Sequence, residues 1–174
     1  MQRRRRGASG AAGKGEGPQE SALATAVRLL SYASRTEQEL YAALLRRGYD
    51  EGDAAGALAH VKRLGYVDDA ETARRWAESA AEDGRWGVAG IARRLANRGI
   101  DADLADSSAR QAYDEAGSAE YDVALQLARA RLDGIDVDSE DREGRERHMR
   151  RLAGFLTRRG FGVETVARVL KQLF

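Results

Sequence analysis

The chain has 174 residues and a formal net charge of +1, with 6% aromatic residues, a single proline and no cysteine. Without cysteine there are neither disulfides nor thiolate metal sites, and no apolar run reaches the 18 residues or so that would signal a membrane span. Abundant Ala, Leu, Arg and Glu with few β-branched residues predict an all-α fold around a thin, aliphatic core.

Residues 1–20 read as a disordered basic tail rich in Gly, Ala and Arg. Arg3 to Arg6 resemble the n-region of a signal peptide, but no apolar h-region follows, so a cytoplasmic location is expected. Gly13-Lys14 is not a phosphate-binding loop, because Ala8 stands at the position of its first glycine and Gly15 at that of its Ser/Thr. The tail holds five basic and two acidic side chains, a net of +3; taken from the whole-chain +1, this leaves the remaining residues at −2. A dedicated DNA-binding domain is clearly basic, so any positive surface on the body must be local.

Three helical units follow, predicted over 21–66, 67–117 and 118–174. In the first, Leu23, Ala26, Val27 and Leu30 share one helical face. Thr36 and Glu39 have capping-box spacing ahead of a helix carrying Leu40 and Leu44. That helix is predicted to stop at Gly48, where a left-handed conformation costs glycine little. Asp50 can cap the next helix, whose apolar face is Ala54, Ala57, Leu58, Val61 and Leu64.

The second unit opens at Asp68, with Glu71 three residues on, and repeats the pattern. Ala73, Trp76, Ala77 and Ala80 form its first face, which places Trp76 in the core. Trp86 reads as a buried loop anchor, with an exposed partner contact as the alternative. Ile91 and Leu95 precede Gly99-Ile100 as Leu40 and Leu44 precede Gly48-Tyr49, and Ala105, Ser108, Ala109 and Ala112 make a weaker final face. In the third unit the faces are Tyr121, Ala124, Leu125 and Ala128, then Leu152 and Leu156 ahead of Gly160-Phe161, then Val166, Val169, Leu170 and Leu173. An acidic loop at about 133–144 lengthens this unit, so the three glycines are 51 and then 61 residues apart, a spacing typical of helical repeats.

No catalytic constellation is present. His60 and His148 are the only histidines and form no paired-ligand pattern, so no catalytic residue, metal or cofactor is expected. His60 reads as a helix-surface or half-buried histidine. The remaining functional signal is a set of basic residues: Arg46, Arg47, Lys62, Arg63, Arg74, Arg75, Arg93, Arg94, Arg98, Arg158 and Arg159. Several lie at helix C-termini, where the dipole alone favours them. They are also the candidates for binding a partner or DNA.

The order and spacing of three segments resemble the RecX family of bacterial recombinase regulators. These are Leu-x-Arg-Arg-Gly-Tyr-Asp ending at Asp50, Leu64-Gly65-Tyr66-Val67-Asp68-Asp69, and Ile91-x-x-x-Leu95-x-x-x-Gly99-Ile100-Asp101. Thr72 stands where the family usually has Phe, and Trp86-Gly87-Val88 replaces a usual Gly-Pro turn. The resemblance implies three tandem three-helix repeats in an elongated, curved body. It also implies a regulator that binds the RecA recombinase, mainly as a filament on DNA, and inhibits ATP hydrolysis, strand exchange and filament growth. Such a regulator would modulate recombinational repair and the SOS response, and some members also bind single- or double-stranded DNA. A monomer is expected from the sequence itself, which leaves no heptad or long apolar seam exposed, and the missing catalytic constellation argues against an enzyme. The rival reading is a helix-turn-helix DNA-binding regulator, against which the near-neutral body and missing dimerisation heptad count. A helical-repeat adaptor for an unrelated protein is a third.

Overall fold

A computed structural model describes residues 20–116, 120–135 and 141–174. The basic tail, apart from Glu20, and the middle of the acidic loop lie outside the described residues. Nine helices and no strand occupy the described residues: α1 (Ala22–Tyr32), α2 (Glu37–Leu45), α3 (Glu51–Arg63), α4 (Asp69–Glu82), α5 (Val88–Ala96), α6 (Ala102–Glu115), α7 (Glu120–Leu132), α8 (Arg142–Arg158) and α9 (Val163–Leu173). They build three successive apolar clusters, from α1–α3, α4–α6 and α7–α9.

The local signals explain most helix ends. Thr36 accepts from the Glu39 N–H while the Glu39 carboxylate accepts from the Thr36 N–H, a complete capping box. Asp50 and Asp68 cap α3 and α4 in the same way at the third N–H, although Glu71 turns to Arg74 rather than back to its cap. Each middle helix ends in one motif. The N–H groups of Tyr49, Ile100 and Phe161 reach back to the carbonyls of Leu44, Leu95 and Leu156, across glycines with φ of 88°, 87° and 81°. This six-to-one bond satisfies an orphan carbonyl and tucks the following apolar residue inward. Accordingly Leu44, Leu95 and Leu156 are fully buried, and Tyr49, Ile100 and Phe161 nearly so.

Three sequence expectations shift. Leu64 is 53% exposed, because α3 stops at Arg63 and Leu64 becomes its C-cap. On α1, Thr25 and Leu29 are buried while Val27 turns outward, since the Thr25 hydroxyl bonds with the hydroxyl of buried Tyr49 (2.7 Å). The acidic loop is shorter than 133–144: Asp141 caps the Gly144 N–H, so Arg142 to Gly144 belong to α8. The middle cluster is alanine-rich, which lets α6 lie close against α4 and α5. Ala105, Ser108, Ala109 and Ala112, a weak face by hydropathy, are all buried.

The clusters are joined by one device used twice. At the first joint the Thr36 hydroxyl donates to the Arg98 carbonyl (2.6 Å), and the Glu37 N–H donates to Asp69 Oδ1 (2.9 Å). At the second, the Gly87 N–H donates to the Arg159 carbonyl (3.0 Å), and the Val88 N–H donates to Glu120 Oε1 (2.9 Å). In both, the N-terminus of a middle helix plugs onto the C-terminal end of the next middle helix. In both, a carboxylate from the next unit's first helix caps the plug. Gly87 has no side chain to do this, so α5 relies on Glu120 for a side-chain cap. Glu120→Ala is expected to cost about 1–2 kcal/mol, measured by urea unfolding. It also removes the acceptor of the Thr165 hydroxyl (2.9 Å).

At the first joint Arg98 grips Glu39 bidentately, at 2.8 and 3.1 Å. Those bonds hold Glu39 below the usual carboxylate range. A depressed carboxylate contributes stability above its unfolded pKa and loses it as pH falls through the lower folded value. Asp69 is pushed the opposite way by burial, so its ionised form costs stability at neutral pH and that cost eases on acidification. Glu39→Gln should therefore lower stability at pH 7 by about 1 kcal/mol and flatten the loss on the acid side, read from thermal unfolding between pH 3 and 7.

Candidate functional site

The joints bring basic and aromatic side chains into one groove along the body. It begins on α2, where Gln38, Ala42 and Arg46 lie four residues apart on one face, beside Ser34 and Arg35 of the α1–α2 loop and Asn97-Arg98 at the end of α5. It continues over Thr72, Arg75, Trp76 and Ser79 of α4, sharing Ser34 and Arg98 with the first part. From Trp76 and Ser79 it runs on to Glu82, Asp83, Arg85, Trp86 and Arg94. The three stretches share walls, and so form one path from α2 to the α4–α5 turn.

Beyond that turn the path ends in a stack of alternating cations and rings. The Arg94 guanidinium lies 4.0 Å from the centre of the Trp86 ring, and Arg159 lies 5.4 Å from the same ring. Arg159 also covers Phe155 (4.5 Å), which Arg131 approaches at 5.4 Å. Guanidinium over an aromatic face is attractive through the ring quadrupole. Trp86 is held from below by its carbonyl, which accepts from the Tyr113 hydroxyl (2.5 Å). Burial raises the pKa of that phenol, keeping it a donor.

The eleven basic candidates separate. Arg46, Arg75, Arg94, Arg98 and Arg159 line the groove or its end. The others do not. Lys62 pairs with Glu37 (2.7 Å), Arg63 lies 3.0 Å from His60 Nδ1, and Arg74 is held between Glu71 and Glu78. Arg47 folds back to the Ala43 carbonyl (2.8 Å), and Arg93 donates to the Arg158 carbonyl (2.9 Å) across the second joint. Arg98 and Arg159 have double duty: Arg98 grips Glu39, and Arg159 donates to the Arg85 carbonyl (3.0 Å). Among the eleven candidates, Arg46, Arg75 and Arg94 are the exposed groove cations without a joint to hold.

Sequence reading missed four contributors. Arg35 was masked by its place just before a capping box, yet its Nε is buried at the groove with no hydrogen-bond partner among the described residues. Trp76, expected in the core, is half-buried and forms the groove floor; Phe155 and Arg131 complete the stack. Trp86 is both loop anchor and groove wall. Among the described residues no group of His, Asp and Glu could hold a metal ion, and no helix is long and apolar enough to cross a membrane. The groove is a surface of mixed charge, in which Glu39, Glu82 and Asp83 lie among arginines and tryptophans.

Comparison with known proteins gives a consistent result. The family model described as RecX, first three-helix domain, matches residues 22–60, and RecX, second three-helix domain, matches 68–108. The regulatory protein RecX of Mycolicibacterium vanbaalenii is 37% identical over 143 residues, covering 82% of this chain and 76% of that protein. That of Streptomyces coelicolor is 32% identical over 169 residues, covering 94% and 85%. The crystal structure of RecX from Lactobacillus salivarius shares the fold, with a TM-score of 0.72 at 17% identity over 87% of this chain and 94% of that one.

Proposed function

This chain belongs to the RecX family of regulatory proteins, and from that premise we propose that it binds the RecA recombinase filament and restrains its ATP hydrolysis, strand exchange and growth. The protein acts in the cytoplasm as a non-enzymatic monomer that modulates recombinational repair and the SOS response. The single observation that carries the reading is the groove, which displays arginine at intervals across all three units. A filament repeats one surface, so a row of similar contacts engages it several times, each raising the effective concentration for the next.

The groove's chemistry favours protein over bare nucleic acid as the main partner. Glu39, Glu82 and Asp83 lie among the arginines, and a phosphate backbone would be repelled by them. An acidic protein surface with its own scattered cations tolerates them, and arginine and tryptophan are the side chains that anchor protein interfaces. DNA held within the filament can add contacts to the most exposed cations.

The test is binding of the labelled chain to the cognate recombinase assembled on DNA, beside the same DNA naked, at equal salt. The expected result is binding to the filament at least about tenfold tighter than to naked duplex. Tight duplex binding with no preference for the filament would instead support the helix-turn-helix reading.

A further inference from the structure

The plug-and-socket device is used at two places, but the fold contains three sockets. Positions Arg47-Gly48, Arg98-Gly99 and Arg159-Gly160 are equivalent ends of the three middle helices. The second socket holds the start of α2, packed so closely that a Cβ on Gly99 would lie 1.9 Å from Gln38 Oε1. The third holds the start of α5, where a Cβ on Gly160 would lie 2.0 Å from the Gly90 nitrogen. At the first socket a Cβ on Gly48 would meet nothing within 4 Å, and Arg46, Arg47 and Gly48 are all exposed. Among the described residues the Arg46 and Arg47 carbonyls receive no hydrogen bond.

The other end of the row is closed. By the same equivalence a plug on α8 would begin at His148, the counterpart of Thr36 and Gly87. Instead α8 runs on from Asp141, about two turns beyond that point. A second copy therefore has no free plug to offer: the starts of its α2 and α5 are engaged and its α8 is overlong.

We propose that the open socket at Arg47-Gly48 receives the N-terminal turn of a helix from the partner protein, one that begins with a Ser or Thr cap and carries an acid three residues on. The first joint defines this occupant. There the Thr36 hydroxyl meets the carbonyl before the glycine, and the Glu39 carboxylate takes the arginine. Arg47 is placed as Arg98 is, but bonded only to its own helix's Ala43 carbonyl, and can swing to an incoming carboxylate. The socket adjoins the groove at Arg46, so one partner can occupy both. The inference rests on the recombinase reading above and names one contact within it.

The test uses the full chain and the recombinase–DNA filament. Arg47→Glu and Gly48→Ala are each expected to weaken filament binding at least tenfold while leaving the helical circular dichroism intact. The added methyl of Gly48→Ala meets open space in the free chain and the plug in the complex; Arg47→Glu carries the test by itself if the positive φ at Gly48 keeps the alanine variant from folding. Because the chain lacks cysteine, a benzophenone placed on Leu45→Cys gives a single photocrosslink. A crosslink in the first turn of a recombinase helix with the stated cap supports the inference. Unchanged affinity in both folded variants, or a crosslink to residues 1–19 of this chain or to DNA, overturns it while leaving filament binding standing. Failure of the wild-type chain to bind the filament overturns the recombinase reading and this inference together.

Discussion

The triple variant Arg46→Glu/Arg75→Glu/Arg94→Glu is expected to fold as the wild type does and to lose about 100-fold in affinity for the recombinase filament. These three are the groove cations among the predicted candidates whose side chains support no joint. Arg46 is exposed at the end of α2, Arg75 has one outer contact with Glu71 at 3.3 Å, and Arg94 rests on the face of Trp86. Each reversal replaces an attraction by a repulsion; at about 1 kcal/mol for an outer charge, three give about 3 kcal/mol, close to the 2.7 kcal/mol of a 100-fold change. Reversal of Arg98 or Arg159 is the wrong test, since it would break the Glu39 and Arg85 contacts and confuse binding with folding. A matched triple reversal at Arg63 of α3 and at Arg145 and Arg147 of α8, all exposed and outside the groove, should leave affinity within about threefold, the scale of rim charges. Equal binding by the groove variant and the wild type, both folded by circular dichroism, would remove the groove from the account.

The second large effect concerns stability and separates two glycines. Gly56 lies in α3 with nothing within 4 Å of an added Cβ, so Gly56→Ala should stabilise by about 0.5–1 kcal/mol through helix propensity. Gly90 lies in α5, where propensity argues the same. Yet a Cβ there would fall 2.1 Å from the Arg159 carbonyl oxygen and 2.9 Å from its carbon, both backbone atoms that cannot rotate away. Gly90→Ala should therefore destabilise by about 1–3 kcal/mol, prising α5 from the end of α8. Paired thermal melts decide the matter: a Gly90→Ala variant as stable as Gly56→Ala would mean that the second joint is not packed as described.

Local grammar was the readable part of this chain. The Thr36 and Asp50 caps, the three glycine stops and the buried leucines before them were legible because each involves residues within one or two turns. The three-unit repeat followed from their recurrence, and the family from their order. The joints were not legible, because they link residues far apart in sequence, as with Thr36 and Arg98 or Arg85 and Arg159. Nothing in Glu120 or Asp69 distinguishes a carboxylate that caps another unit's helix from one that caps its own. Only the glycines at 87 and 90, replacing bulkier residues at the head of α5, carried a trace of the close approach.

The site was half legible for the same reason. Sequence identifies a basic residue but not its partner, so Lys62, Arg74 and Arg93 are equivalent to Arg46 and Arg94 in sequence and differ only in the bonds the fold gives them. Trp76 illustrates the converse. Its spacing on α4 is that of the core face, but its ring is only partly buried against the middle cluster and also lines the groove. Helical periodicity places a residue on a face and is silent on how wide the buried part of that face is.

The most direct measurement is ATP hydrolysis by the cognate recombinase on DNA, titrated with the wild-type chain from well below one molecule per recombinase protomer. A filament-directed regulator with several contacts per molecule predicts strong inhibition at that low ratio, relieved by the groove variant. Undiminished hydrolysis at equal concentrations of the two proteins would contradict it.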